Sequence, residues 1–123
     1  MSVLALHSRF AFAVLYYLVA LGIWGVVLGI RRQGPSPSFR GAIVIVEIAI
    51  LAQGLLGGLT WLSGQGPPRD LLHILYGFAL LLALPFASTM VRDSSPRRAA
   101  LTLGLVAFFA AGLAIRGITT GSV

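Results

Sequence analysis

Residues 53–86 read QGLLGGLTWLSGQGPPRDLLHILYGFALLLALPF. They hold a glycine-rich apolar half-helix, a Gly/Pro turn, and a second apolar helix with His73 about one turn inside it. Desolvating a charge at mid-bilayer depth costs on the order of 2.5 kcal/mol or more, so an ionisable side chain in an apolar helix is a functional candidate by default. The chain has only one other histidine, His7, which opens another apolar run.

Working outward, the composition sets the class. The 123 residues are 58% hydrophobic and 10% charged, whereas charged residues make up about a quarter of an ordinary soluble domain. The expectation is an integral membrane protein. Its net charge of +6 comes from nine arginines against Glu47, Asp70 and Asp93. Those arginines sit between apolar runs, where they serve lipid headgroups and topology and not nucleic acid. The absence of cysteine excludes disulfides, thiolate zinc sites, iron–sulfur clusters and covalent c-type haem attachment.

A spanning helix takes ~20 apolar residues, and four stretches qualify: about 7–30, 41–62, 71–91 and 99–118. The connections RRQGPSPSFR, SGQGPPRD and RDSSPRR are short and rich in Gly, Pro, Ser and Arg, as tight turns between antiparallel neighbours are. The fold class expected is all-α, a single domain over 1–123 forming a four-helix up-down-up-down bundle. The first apolar run exceeds the length of a signal-peptide core and is expected to be retained.

Arg31, Arg32, Arg40, Arg92, Arg97 and Arg98 fall to one side, and Arg9, Arg69 and Arg116 to the other. The positive-inside rule then gives a multi-pass protein of the plasma (inner) membrane with both termini outside. In that arrangement the first and third helices run the same way, so His7 and His73 lie at similar depth toward the outer face.

Other residues add to this pattern. Gly22, Gly25 and Gly29 form a small-residue ridge on the first helix, and Gly54 and Gly58 repeat the GxxxG spacing on the second, with Gly57 beside them. Such ridges let membrane helices approach closely, or leave room for a flat cofactor. Gln53 is expected to bond a neighbouring helix. Glu47 either stays neutral or snorkels to the interface, or belongs to a proton or quinone path. Asp70 is a candidate N-cap after Pro67 and Pro68. Gly77, one turn below His73, offers a notch, Tyr76 reads as an interfacial anchor, and Pro85 is expected to bend its helix. On the fourth helix Gly104, Ala107, Ala111 and Ala114 form a packing face.

Two imidazoles without a third ligand make a poor zinc site, which takes three protein ligands, and Asp70 adds at most one carboxylate. Axial haem ligation takes just two imidazoles on facing helices. The pattern therefore points to haem b, with His7 and His73 as ligands, Gly57 and Gly77 as clearance, and Arg9, Arg69 and Arg116 as propionate partners. Taken singly, those arginines equally suit lipid phosphate.

The pieces HSR (7–9), QGLLGGLT (53–60) and LLHILYG (71–77) resemble the heme A synthase family. That family is built of two similar four-helix halves, each with a histidine–arginine opening, a Q-x-x-L-G-x-x-T segment and a second histidine. The resemblance covers about the first three helices and implies a haem-binding half-bundle with His7 and His73 as axial ligands. The family's catalytic glutamate, three positions before its first histidine, is replaced by Leu4, and the cysteine pair of many members is missing. With both axial positions filled, the expected role is a cytochrome b-like electron-transfer or haem-bearing accessory protein. It would work beside larger membrane-complex subunits, with a quinone or cytochrome as partner. The alternatives are a haem-modifying synthase or assembly protein and a haem-free structural subunit.

Overall fold

A computed structural model describes residues 2–64 and 70–121. Four helices account for nearly all of them: α1 (Val3–Ile30), α2 (Pro37–Leu62), α3 (Asp70–Met90) and α4 (Pro96–Gly121). The architecture is all-helical, without a strand among the described residues.

Three helices start earlier than the apolar windows suggest, because capping chemistry sets the start and hydrophobicity does not. Ser2 accepts a hydrogen bond from the Ala5 N–H at 3.1 Å, which brings α1 forward to Val3. Ser36 does the same for Phe39 at 3.2 Å, with Pro37 in the first helical position. Ser95 and Pro96 repeat the device on α4, where the Ser95 side chain receives the Arg98 N–H at 3.4 Å. Proline is pre-set for that position and loses no needed donor there. At the other end, α4 continues through the polar residues Thr119 and Thr120 to Gly121. Pro67, Pro68, Arg69 and the side chain of Asp70 lie outside the described residues. Pro85 sits inside α3 without ending it, and the Thr89 hydroxyl donates to the carbonyls of Pro85 and Phe86 at 3.0 and 2.8 Å.

The end of α1 closes with a Schellman pattern. Gln33 N–H reaches Leu28 O at 2.8 Å and Arg32 N–H reaches Gly29 O at 3.0 Å, with Arg32 in the left-handed position at φ 60°. Arg97 Nε adds a donor to Gly29 O at 3.1 Å, so a cation from the start of α4 covers the negative end of α1. Gly34 lies against Pro96, which places the first connection beside the beginning of α4.

Side by side, α1 packs most closely on α4, α4 on α3, and α1 on α2, while α2 and α3 touch sparsely. The α1–α4 seam is built on glycine. A Cβ at Gly25 would stand 2.6 Å from Gly104 Cα, and one at Gly22 would stand 2.8 Å from the Phe108 ring. Facing them, Ala100, Leu103, Ala107, Ala111 and Ala114 are buried. The larger core residues are Leu18, Val46, Leu84, Leu103 and Phe39, the last edge-on to Trp24 with ring centres 5.4 Å apart. Tyr17 closes the α1–α2 contact by donating to Ala42 O at 2.9 Å.

Outside this core the helices are apolar on their outer faces too, with Tyr16, Leu55, Leu62, Leu71 and Phe86 all exposed. A helix that is apolar all round belongs in a large core or in lipid. All four helices are long and apolar enough to cross a membrane, which is the make-up of a multi-pass membrane protein.

Candidate functional site

His7 is the fifth residue of α1 and His73 the fourth of α3. These two helices do not pack on each other; they stand diagonally, and the imidazoles reach across. Their ring centres are 6.1 Å apart, with the planes at 75°. Metal–nitrogen bonds of about 2.0–2.1 Å on either side, plus the depth of each ring, put two imidazoles that share one metal at a centroid separation of roughly 6 Å. The ring centres therefore stand at the separation that such a pair would have.

The surroundings of His73 come from α4. Its Nδ1 lies 2.9 Å from Gly117 O and 3.3 Å from Thr120 Oγ1. A carbonyl only accepts, so Nδ1 carries a proton; in the neutral ring that leaves the lone pair on Nε2, the tautomer in which histidine binds a metal. Thr120 is buried, and its hydroxyl donates to Arg116 O at 2.8 Å. A Cβ at Gly121 would lie 2.8 Å from His73 Cε1, so glycine there is what admits the ring.

The surroundings of His7 come from α2. Gln53 Nε2 donates to the His7 carbonyl at 2.7 Å, the interhelical bond expected of that glutamine. A Cβ at Gly57 would stand 3.0 Å from His7 Cε1, which makes Gly57 the counterpart of Gly121. His7 Nδ1 and Gln53 Oε1 are both buried with no hydrogen-bond partner among the described residues.

The remaining sequence candidates divide. Arg116 is exposed on α4, 5.5 Å over the Tyr76 ring and 3.5 Å from its hydroxyl, so Tyr76 holds a guanidinium one helical turn from His73. Arg9 is exposed on α1, and Arg69 lies outside the described residues. Gly77, Gly54 and Gly58 are exposed, with no atom of another described residue within 4 Å of where a side chain would start. The α2 and α3 helices that carry them are the sparsely packed pair, so these glycines leave clearance instead of mediating contact. Glu47 lies six residues before Gln53, about 9 Å along the helix axis, and does not join the histidines. One of its oxygens, Oε1, is buried without a partner among the described residues.

Three contributors escaped the sequence reading: Gly117, Thr120 and Gly121. The signal present was the spacing GITTG over 117–121, a GxxxG step hidden by two threonines beyond the apolar window. Among the described residues no group of three or more His, Cys, Asp or Glu side chains comes together. Comparison of the chain with protein-family models, curated proteins and solved structures finds no match.

Proposed function

We propose that the chain is a four-span, up-down-up-down membrane bundle that holds one haem b between His7 and His73. Its role is electron transfer, or that of a haem-bearing accessory subunit in a larger membrane complex. The observation that carries this reading is the meeting of the two imidazoles across the α1–α3 diagonal at 6.1 Å.

Other features support it. The Gly117 carbonyl accepts from His73 Nδ1–H, and His7 Nδ1 is buried with no hydrogen-bond partner among the described residues. Gly57 and Gly121 make room for the rings, and Gly54, Gly58 and Gly77 stand clear. When bound, haem supplies one-electron chemistry at the iron. The chain's own part is to orient two donors, to hold the His73 ring by its Nδ1–H, and to offer Arg116, steadied by Tyr76, as a cation for a propionate. Arg9 and Arg69 belong to the same end of the sequence pattern.

The resemblance to one half of a heme A synthase points the same way for haem binding. It does not extend to haem hydroxylation, since Leu4 occupies the glutamate position. For topology, the contact of Gly34 with Pro96 supports placing the first and third connections, with their six arginines, on one side. By the positive-inside rule that side is the cytoplasm and both termini lie outside the plasma membrane.

The test is a reduced-minus-oxidised spectrum of the purified protein. A low-spin b-type signal lost in both His7→Ala and His73→Ala is expected; a signal indifferent to both substitutions refutes the assignment.

A further inference from the structure

We propose that the two histidines are unequal ligands. His73 is the permanent one and His7 the exchangeable one, so the site admits a small lone-pair donor, such as carbon monoxide or imidazole, opposite His73. This rests on the haem reading above and adds to it a second, ligand-binding property.

His73 is fixed at three points. Its Nδ1–H points at Gly117 O at 2.9 Å, with Thr120 Oγ1 at 3.3 Å as a second acceptor. Gly117 O belongs to the backbone of α4. Thr120 is 1% exposed and tied to Arg116 O. The backbone at Gly121 closes on the ring edge so tightly that a Cβ there would stand 2.8 Å from Cε1 and 3.0 Å from Nδ1. None of these groups can follow the ring if it turns, so releasing a ligand from His73 breaks the outer contacts as well as the donor bond. Outer partners of this kind also fix the tautomer and raise ligand basicity, and losing them costs about 10–100-fold in metal affinity.

Among the described residues His7 lacks the polar part of that hold: Gly57 closes on its ring edge, with a Cβ there 3.0 Å from Cε1, but no acceptor meets its Nδ1. Nδ1 is buried and unpaired among the described residues, and so is Oε1 of Gln53. Gln53 donates its amide to the His7 backbone carbonyl at 2.7 Å, which fixes the turn of α1 and leaves Nδ1 of the ring without a hydrogen bond among the described residues. An unsatisfied buried donor has nothing to lose by rotating outward. Exchange is a simple substitution: the bond from His7 Nε2 breaks, a bond from the incoming lone pair forms, and no electron is transferred.

The experiment uses the full chain in detergent, loaded with haem, reduced and exposed to carbon monoxide, as wild type, His7→Gln and His73→Gln. Wild type is expected to bind carbon monoxide. The His7→Gln adduct should superimpose spectrally on the wild-type adduct, because His73 is the opposite ligand in both, and the His73→Gln adduct should differ. His73→Gln should also hold haem about 10–100-fold less tightly than His7→Gln. If a glutamine variant fails to fold, His7→Gly and His73→Gly with added imidazole replace the pair, and only His7→Gly should regain the low-spin spectrum. The inference is overturned by reduced wild type that refuses carbon monoxide, by a wild-type adduct matching that of His73→Gln, or by equal loss of haem in the two variants. A wild-type chain that binds no haem sinks the underlying reading instead, so the two failures are distinguishable.

Discussion

Gly25→Ala tests the seam on which the site depends. The new Cβ would stand 2.6 Å from Gly104 Cα, 2.8 Å from Gly104 N and 3.0 Å from Ala100 O. Ordinary carbon–carbon contact begins at about 3.5 Å, so α1 and α4 must part by most of an ångström. All three obstacles are backbone, and no flexible side chain can yield in their place. A gap of ~0.5–1 Å forfeits a quarter to a half of each dispersion contact, and Leu18, Leu21, Ala100 and Leu103 are buried here. Overpacking of this kind costs about 1–3 kcal/mol, against a gain of ~1 kcal/mol from replacing a helical glycine by alanine. Gly112→Ala isolates that gain, because Gly112 is exposed on α4 with nothing within 4 Å of its side-chain position. Reversible unfolding in mixed micelles, followed by circular dichroism, should therefore separate the variants by about 1–3 kcal/mol. Gly112→Ala should be at least as stable as wild type and Gly25→Ala the weaker of the two. Equal stabilities, or the reverse order, would refute the close-packed α1–α4 seam.

Three further outcomes follow from the same contacts. Gln53→Leu removes the bond to His7 O together with an Oε1 that has no partner among the described residues, so stability should fall by no more than about 1 kcal/mol. Haem should be retained, while carbon monoxide binding, read by stopped-flow absorbance, should quicken as the first turns of α1 loosen. Gly121→Ala pushes on His73 Cε1 and Nδ1 and should lower haem affinity in a spectral titration without lowering helix content; an unchanged titration contradicts the seat assigned to Gly121. Because the chain has no cysteine, Ser2→Cys and Ser36→Cys each report one position to a membrane-impermeant thiol reagent. On intact cells Ser2→Cys should label and Ser36→Cys should not, and the opposite pattern reverses the proposed topology.

Much of the framework can be read from the residues alone. Four apolar runs separated by Ser/Pro/Arg connections mark four helices, and glycine spacing on α1 marks the face that meets α4. Helix starts are less legible because Ser36–Pro37 and Ser95–Pro96 extend the helices beyond their apolar windows. Which helices are neighbours is not legible either. Helices apolar on every side carry no periodic signal for a buried face, so the α1–α3 diagonal emerges only from packing.

At the site, the pairing of His7 with His73 follows from matched position on parallel-reading helices. The groups that hold His73 do not, since a backbone carbonyl such as Gly117 O has no signature in sequence, and Thr120 lies in a polar tail. The arginines show the same limit. Arg116 finds Tyr76 on α3, whereas Arg9 stays exposed, and nothing in their spacing separates the two.

The most direct measurement is the low-temperature electron paramagnetic resonance spectrum of the oxidised, haem-loaded wild-type protein. Two imidazoles on one iron give a low-spin ferric signal, and ring planes at 75° make that signal strongly anisotropic, unlike the rhombic one of parallel rings. A strongly anisotropic low-spin signal is the predicted result. A high-spin axial signal, or a chain that takes up no haem at all, would contradict the claim that His7 and His73 share a metal.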